Sequence, residues 1–222
     1  MPIAIAIDGP AGAGKSTIAR ACAKQLSYIY VDTGALYRAI GLAAMRNNIE
    51  PIESPQVDEL LSQIKVELSF NENNEQAVLL NGEDVSGLIR TPEASMTASK
   101  ISAVPSVRAY LLDLQRSIAK HNNVIMDGRD IGTVILPDAQ VKIFLTASPQ
   151  ERAKRRYNEL VQKGAEITYN DVLDDVIKRD YQDSHREIAP LKPAKDSVLV
   201  DTTELDFEQS VSKILSVIKE KL

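Results

Sequence analysis

A glycine-rich run directly follows the first apolar stretch of the chain, residues 3–7. Residues 9–16 match the phosphate-loop pattern G-x-x-x-x-G-K-[ST] at every fixed position. The glycines let consecutive backbone N–H groups turn toward a triphosphate, and the helix that begins near Lys15 points its positive end at the same charge. Lys15 then reaches the β- and γ-phosphates, and the Ser16 hydroxyl binds Mg²⁺. The motif therefore predicts a buried strand, a loop and a helix that bind a nucleoside triphosphate.

The charge balance limits the class of partner. The 222 residues include 26 Lys and Arg against 31 Asp and Glu, and this net charge of −5 argues against duplex nucleic acid as the main partner. The single cysteine, Cys22, excludes an intramolecular disulfide and suits a reducing compartment. No segment approaches the ~20 apolar residues of a membrane span, and no signal peptide precedes the first strand. We therefore expect a cytoplasmic protein that binds neither nucleic acid nor membrane.

Five short apolar runs recur along the chain, with helical patterns between them. This alternation predicts a doubly wound α/β fold whose parallel strands are buried on both faces. Ser148 and Pro149 begin a helix that Gly164 ends, Thr168 begins the next helix, and residues 207–219 form the last. The apolar runs are residues 3–7, 28–31, 124–126, 141–145 and 198–200.

Residues 64–90 interrupt this alternation. Residues 66–70 alternate apolar and polar side chains, a polar turn follows at 71–76, and residues 77–80 resume as a strand. Two helices follow, one that begins at Thr91–Pro92 and one over residues 105–120. We therefore expect an inserted antiparallel hairpin followed by two helices.

Charged residues follow the strand at 124–126. Asp127 and Arg129 come directly after it, at the carboxyl end of the sheet, where ligands bind in open α/β folds. Asp127 is placed to hold Mg²⁺ or its waters, and Arg129 to meet phosphate oxygens, although an ordinary surface turn would also carry Asp-Gly. Two arginine groups follow, which are either solvated faces or phosphate ligands. They are Arg152, Arg155 and Arg156 on one helix, and Arg179 and Arg186 around Asp180 and Asp183.

Several segments together resemble the bacterial cytidylate kinase family, over essentially the whole chain. The resemblance implies transfer of the γ-phosphoryl group of ATP to CMP or dCMP with Mg²⁺, by a monomer. It also implies one phosphate-loop kinase domain over residues 1–222, with a five-stranded parallel sheet, a monophosphate-binding insert at 62–121 and a short lid at 148–166. The segments are residues 7–17, 31–38, 82–86, 127–134 and 179–186.

The resemblance also assigns roles to individual residues. The catalytic residues would be Lys15, Arg129, Arg152 and Arg179, and Mg²⁺ would be bound by Ser16 and Asp127. ATP would be bound by Gly9, Pro10, Ala11, Gly12, Ala13, Gly14, Lys15, Ser16, Thr17 and Arg155. CMP would be bound by Thr33, Arg38, Ser99, Arg108, Arg129, Asp130, Arg179, Asp183 and Arg186. Thr33 and Gln182 depart from the familiar pattern, which puts fine specificity in doubt rather than the reaction.

Other functions are compatible with a phosphate loop. A kinase for AMP or UMP is the nearest alternative in chemistry. A regulatory GTPase is a different class, and residues 84–87 do satisfy its D-x-x-G pattern, but no N-K-x-D follows to bind guanine. A nucleic-acid-binding module is disfavoured by the acidic balance and by the few aromatic residues, three Phe and seven Tyr.

Overall fold

The computed structural model describes residues 2–72 and 75–222. A five-stranded sheet has the strand order β2-β6-β1-β7-β8, and β7 pairs in parallel with both β1 and β8. The predicted parallel sheet flanked by helices is confirmed. The strands of the protein are β1 (Ala4–Asp8), β2 (Ile29–Asp32), β3 (Val66–Phe70), β4 (Gln76–Leu80), β5 (Glu83–Asp84), β6 (Val124–Gly128), β7 (Val141–Thr146) and β8 (Val198–Asp201).

The five predicted strands are not all buried on both faces. Four of the five residues of β1 and of β6 are buried, as expected for central strands. Buried and half-buried residues alternate along β7, and in β8 only Val200 is buried while Leu199 is 65% exposed. The expectation was wrong for β8, because β8 is the edge of the sheet and a short apolar run does not reveal its place in the strand order.

Capping residues explain where the helices begin. Ser148 and Thr91 each accept a hydrogen bond from a backbone N–H of the first turn and are followed by proline, and Thr168 forms a capping box with Asp171. Gly164 ends its helix at φ 81°, as predicted. The helices are α1 (Lys15–Leu26), α2 (Thr33–Arg46), α3 (Pro55–Gln63), α4 (Pro92–Ile101), α5 (Pro105–His121), α6 (Pro149–Gln162), α7 (Tyr169–His185) and α8 (Phe207–Lys221).

One compact unit comprises residues 27–124 with residues 2 and 3. The predicted hairpin is confirmed as β3 and β4, and the short β5 adds a third antiparallel strand that was not predicted. Residues 73 and 74 of the predicted 71–76 turn lie outside the described residues. Gly41 on α2 allows close packing against α4, since a Cβ at this position would lie 3.1 Å from the Thr97 methyl group.

The second compact unit comprises residues 4–26 and 125–222. Within it, α6 and α7 bury a small core of their own around Ala153, Val172 and Val176, and Tyr157 packs edge-on against Tyr169. Helix α8 packs on α1, where Cys22 is buried. Over residues 2–72 and 75–222, every helix is too short or too polar to cross a membrane.

Candidate active site

The loop between β1 and α1 has the backbone that the glycine pattern predicts. Gly9, Gly12 and Gly14 have φ angles of 151°, 73° and 85°, in the region where glycine is favoured. A Cβ on Gly9 would lie only 1.9 Å from the Leu145 carbonyl oxygen, so any side chain would clash with the backbone of β7. The loop therefore depends on glycine both for its turn and for its close approach to the sheet.

Lys15 is held inside this loop. It is 5% exposed, and its Nζ donates a hydrogen bond of 2.8 Å to the Pro10 carbonyl. Burial, followed by repulsion from Arg129, lowers the pKa of Lys15 to about 7, although Asp127 and other carboxylates oppose the shift. A triphosphate in the loop would bring negative charge to this ammonium group and so favour its charged form.

Ser16 and Asp127 lie together at the start of α1. The Ser16 hydroxyl donates a hydrogen bond of 2.8 Å to the Asp127 carboxylate, which is buried at the end of β6. A hydroxyl and a carboxylate are the all-oxygen ligands that Mg²⁺ prefers, so the two residues predicted to hold this ion fit it in chemistry. The hydrogen bond also places the segment after β6 beside the phosphate loop.

Two ion pairs follow Asp127. Arg129 Nε donates a hydrogen bond of 2.8 Å to Asp183 on α7, and Arg186 Nη2 lies 3.5 Å from Asp130. Burial acts to raise the pKa of Asp183, but attraction and a hydrogen bond from Arg129, with attraction to Arg179 and Arg186, lower it overall. The predicted residues Arg129, Asp130, Arg179, Asp183 and Arg186 thus belong to one electrostatic cluster, in the same compact unit as the phosphate loop.

Arg152 and Arg155, both in the predicted lid at 148–166, make different contacts near the phosphate loop. Arg152 is 2% exposed, and its guanidinium donates hydrogen bonds to the carbonyls of Ala147 and Ala11 and two more to the Asp180 carboxylate. Arg155 is half-buried, pairs with Glu151 and donates to the Thr202 carbonyl. A Cβ at Gly14 would lie 3.9 Å from Arg155 Nη1, so this guanidinium borders the loop. Arg156 is exposed.

The remaining predicted acceptor residues belong to the unit of residues 27–124. Asp32 caps α2 by accepting from Ala35 N and also binds Arg38 Nη2 at 2.7 Å, next to the buried Thr33. The Gln76 side chain accepts from Asp32 N at 2.8 Å and donates to Asp32 O at 3.3 Å, so that β4 holds the backbone from which Arg38 is positioned.

Arg108 and Ser99 lie on the two helices that follow the hairpin. Arg108, on α5, donates to the Ser102 carbonyl at 3.1 Å, and its guanidinium carbon lies 5.8 Å from the centre of the Tyr37 ring. Ser99 is half-buried on α4. The D-x-x-G match at 84–87 lies at β5, where the Asp84 carboxylate accepts from Ser86 N at 2.9 Å and shapes a turn.

Sequence reasoning assigned no role to several residues that hold this machinery in place. Asp180 anchors Arg152, and Gln76 anchors Asp32. Asp8 accepts hydrogen bonds from the backbone of Ile131 and Gly132. Asp8 directly precedes the glycine-rich run and Asp180 lies beside Arg179, so attention to the charged residues next to these motifs could have found them, whereas nothing in the sequence marks Gln76.

Comparisons with known proteins agree with this geometry. A family model described as cytidylate kinase matches residues 5–220. A cytidylate kinase of Carboxydothermus hydrogenoformans is 51% identical over 217 residues, which is 98% of this chain and 97% of that protein. A cytidylate kinase of Thermosipho melanesiensis is 50% identical over 221 residues, 100% and 99% of the two chains.

Solved structures share the fold at low identity. An uncharacterized protein from Eubacterium ventriosum has a TM-score of 0.54 and 14% identity over 99% of both chains. A shikimate kinase from Bacteroides thetaiotaomicron has a TM-score of 0.50 and 13% identity over 98% of both chains. Since the family model and the curated relatives span nearly the whole sequence, the chain belongs to the cytidylate kinase family.

Proposed function

We propose that this protein transfers the γ-phosphoryl group of ATP to CMP or dCMP, giving ADP and CDP or dCDP. The observation that carries the proposal is the Ser16–Asp127 hydrogen bond of 2.8 Å, which joins the phosphate loop to the arginine and carboxylate cluster after β6. Membership of the cytidylate kinase family supports this choice of acceptor. A protein that only bound ATP would not need so many arginines beside its phosphate loop, whereas phosphoryl transfer between two nucleotides gathers several negative charges there.

The phosphate loop is the proposed donor site. Its backbone N–H groups and the start of α1 face the triphosphate, and Lys15 exchanges its contact with the Pro10 carbonyl for phosphate oxygens. Thr17 follows Ser16 on the first turn of α1, and Arg155 borders the loop near Gly14. Mg²⁺ bound by Ser16 and Asp127 would neutralise part of the phosphate charge.

Three arginines are proposed to stabilise the transferring phosphoryl group. Its transition state spreads charge over the equatorial oxygens, and guanidinium groups held in advance need little reorganisation to meet that charge. Arg129 and Arg179 both lie close enough to Asp183 to lower its pKa, so this carboxylate keeps the two guanidinium groups near one another. Arg152 contacts the loop at the Ala11 carbonyl and would reach phosphate by exchanging that hydrogen bond.

Two groups of residues are proposed to bind the phosphate and the sugar of the acceptor nucleotide. Thr33, Arg38 and Arg129 would hold its phosphate, and Asp183 its sugar hydroxyls. Arg38 is pre-oriented by Asp32, so less side-chain entropy is lost when phosphate binds. The proposal includes a monomeric, cytoplasmic enzyme, a monophosphate-binding insert at 62–121, and a lid at 148–166 that closes to exclude water.

Cytosine selection is assigned to Asp130 and Arg108, with Ser99 and Arg186 supporting them. Cytosine presents an amino donor beside an acceptor nitrogen, whereas uracil presents an acceptor beside a donor. Asp130 can accept from the amino group, and Arg108 can donate to the neighbouring nitrogen and carbonyl oxygen. Facing uracil, Asp130 would meet a carbonyl oxygen and one Arg108 N–H would meet the ring N–H, although Arg108 could still donate to the remaining carbonyl oxygen. Two such mismatches cost about 1–3 kcal/mol each, so we expect roughly 100-fold or greater discrimination.

A coupled assay of ADP release tests this function. ATP is supplied with CMP, dCMP, UMP, AMP or GMP in turn, and the proposal requires the highest kcat/KM with CMP or dCMP. A clear preference for AMP or UMP would assign the protein to another kinase specificity, and ATP hydrolysis that ignores every acceptor would contradict transfer altogether.

A variant pair tests the base-selecting role. Asp130→Ala should lower kcat/KM for CMP far more than for UMP, while Asp138→Ala, at an exposed aspartate of the same region, should leave the ratio unchanged. If both substrates lose activity equally in Asp130→Ala, Asp130 only anchors Arg186.

A further inference from the structure

Asp8 is a buried carboxylate to which the proposed reaction assigns no role. It is the last residue of β1 and directly precedes Gly9, yet its side chain points away from solvent and is 4% exposed. Its Oδ1 accepts from Ile131 N at 2.7 Å and its Oδ2 from Gly132 N at 2.8 Å. These are the first two residues of a single π-helical turn over Ile131–Ile135 that begins directly after Asp130.

A charged carboxylate is unfavourable at this buried position. Burial raises the pKa of Asp8 to about 6, the negative charge of Asp130 adds to the effect, and the two backbone hydrogen bonds and Lys15 only partly offset it. A neutral side chain would avoid this desolvation. What a carboxylate offers instead is two acceptor oxygens in one plane, which match two consecutive N–H groups.

These two hydrogen bonds help to fix the backbone around Asp130. Asp130 has φ −148° and ψ 27°, outside regular helix or strand geometry. Its carbonyl accepts from Val134 N at 2.9 Å and from Ile135 N at 3.2 Å, while Asp8 holds the two amides that follow it. The peptide after Asp130 is therefore constrained at both its carbonyl and its N–H, and the direction of the Asp130 side chain, 3.5 Å from Arg186, follows from that constraint.

We infer that Asp8 is a positioning residue for acceptor-base selection: it ties the end of β1 to the turn after Asp130, so that the Asp130 carboxylate is aimed at the base. The inference rests on the proposed function, and it adds a residue that does not touch the base. It also links the strand that leads into the phosphate loop with the loop that recognises the acceptor.

The substitution Asp8→Asn tests this role. Asparagine has nearly the same shape but keeps only one carbonyl oxygen, so its amino group would face one of the two backbone N–H groups. The measured quantity is the ratio of kcat/KM for CMP to kcat/KM for UMP. Any effect on the ATP site is common to both acceptors and cancels in this ratio. We expect the ratio to fall about 10-fold or more in Asp8→Asn, as for loss of one buried polar contact, and to stay at the parent value in Asp138→Asn.

A second variant perturbs the same contact from the other side. In Gly132→Ala the added Cβ would lie at an ordinary contact distance of 3.4 Å from Asp8 Oδ2 but only 3.2 Å from Lys142 Cδ. Unless Lys142 yields, the Gly132 backbone that donates to Asp8 must shift by a few tenths of an ångström, while the carboxylate itself is kept. We expect its ratio to fall about threefold or more, within the range of a weakened hydrogen bond.

The outcomes separate the two proposals. If the parent enzyme prefers CMP and either folded variant keeps the parent ratio, Asp8 is only structural and the inference fails while the proposed function stands. If the parent does not phosphorylate CMP, the proposed function fails and the Asp8 inference with it. A lower ratio in both variants, with Asp138→Asn unchanged, supports the inference.

Discussion

Replacing Arg152 should destabilise the protein strongly, because this side chain ties three segments together. Arg152→Met keeps the length and apolar stem of the side chain but removes four hydrogen bonds, two of them to the Asp180 carboxylate. Breaking a buried ion pair typically costs 3–5 kcal/mol because the partner charge is left uncompensated. Since Asp180 is 27% exposed and can be partly solvated, we expect the lower end, about 3 kcal/mol.

Thermal unfolding followed by circular dichroism measures this loss. For a chain of this size, about 3 kcal/mol corresponds to a Tm lower by roughly 6–12 °C. Arg156→Met is the matched control, because Arg156 is exposed on the same helix and its replacement should change stability by no more than about 0.5 kcal/mol. The double variant Arg152→Met/Asp180→Asn should recover part of the loss, since it leaves no unpaired carboxylate.

Two results would refute this reasoning. A Tm of Arg152→Met within about 2 °C of the parent would mean that the hydrogen bonds are replaced by water at little cost. Strictly additive losses in the double variant would mean that the two side chains are not coupled. A kcat measured well below the Tm tests separately whether Arg152 also stabilises the transferring phosphoryl group.

Four further expectations follow from the geometry. Lys15→Ala should lower kcat roughly a thousandfold or more at an unchanged Tm, because its charge serves the transition state; retention of a tenth of the parent rate contradicts this. Gly9→Ala should yield little folded protein, since its Cβ would lie 1.9 Å from a β7 carbonyl, whereas Gly87→Ala, with nothing within 4 Å of its Cβ, should express normally. The pKa of Asp8 is raised from 3.8 to about 6 by burial, so the folded protein binds this proton more tightly than the unfolded chain. Relative to Asp8→Asn, the free energy of unfolding should therefore fall by about 3 kcal/mol as pH rises through that interval and stay level above it; a level difference in urea melts across the interval would be inconsistent. Amide hydrogen exchange over 150–163 should slow when a bisubstrate analogue binds, because phosphates would add contacts to Arg152 and Arg155 beyond their present carboxylate partners, and equal exchange in both states would rule out closure.

The elements of this fold are encoded by local signals. The glycines at 9, 12 and 14 specify the phosphate loop, because few other residues adopt its backbone, and short apolar runs specify the central strands. Ser148 and Thr168 mark helix starts because their side chains satisfy N–H groups of the first turn. Such signals depend on neighbours in sequence, so the five strands of the parallel sheet, the β3–β4 hairpin, the main helices and the phosphate loop could be predicted from sequence alone, whereas the short β5 was not.

Only the tertiary structure decided which distant residues hold these elements in place. The hydrogen bonds from Ile131 and Gly132 to Asp8 span more than a hundred residues, and the contact between Gln76 and Asp32 depends on where β4 comes to lie. The exposure of Leu199 likewise follows from the edge position of β8. No periodicity or capping pattern encodes such pairings, because their energy exists only once the chain has brought distant backbone groups together and removed them from water.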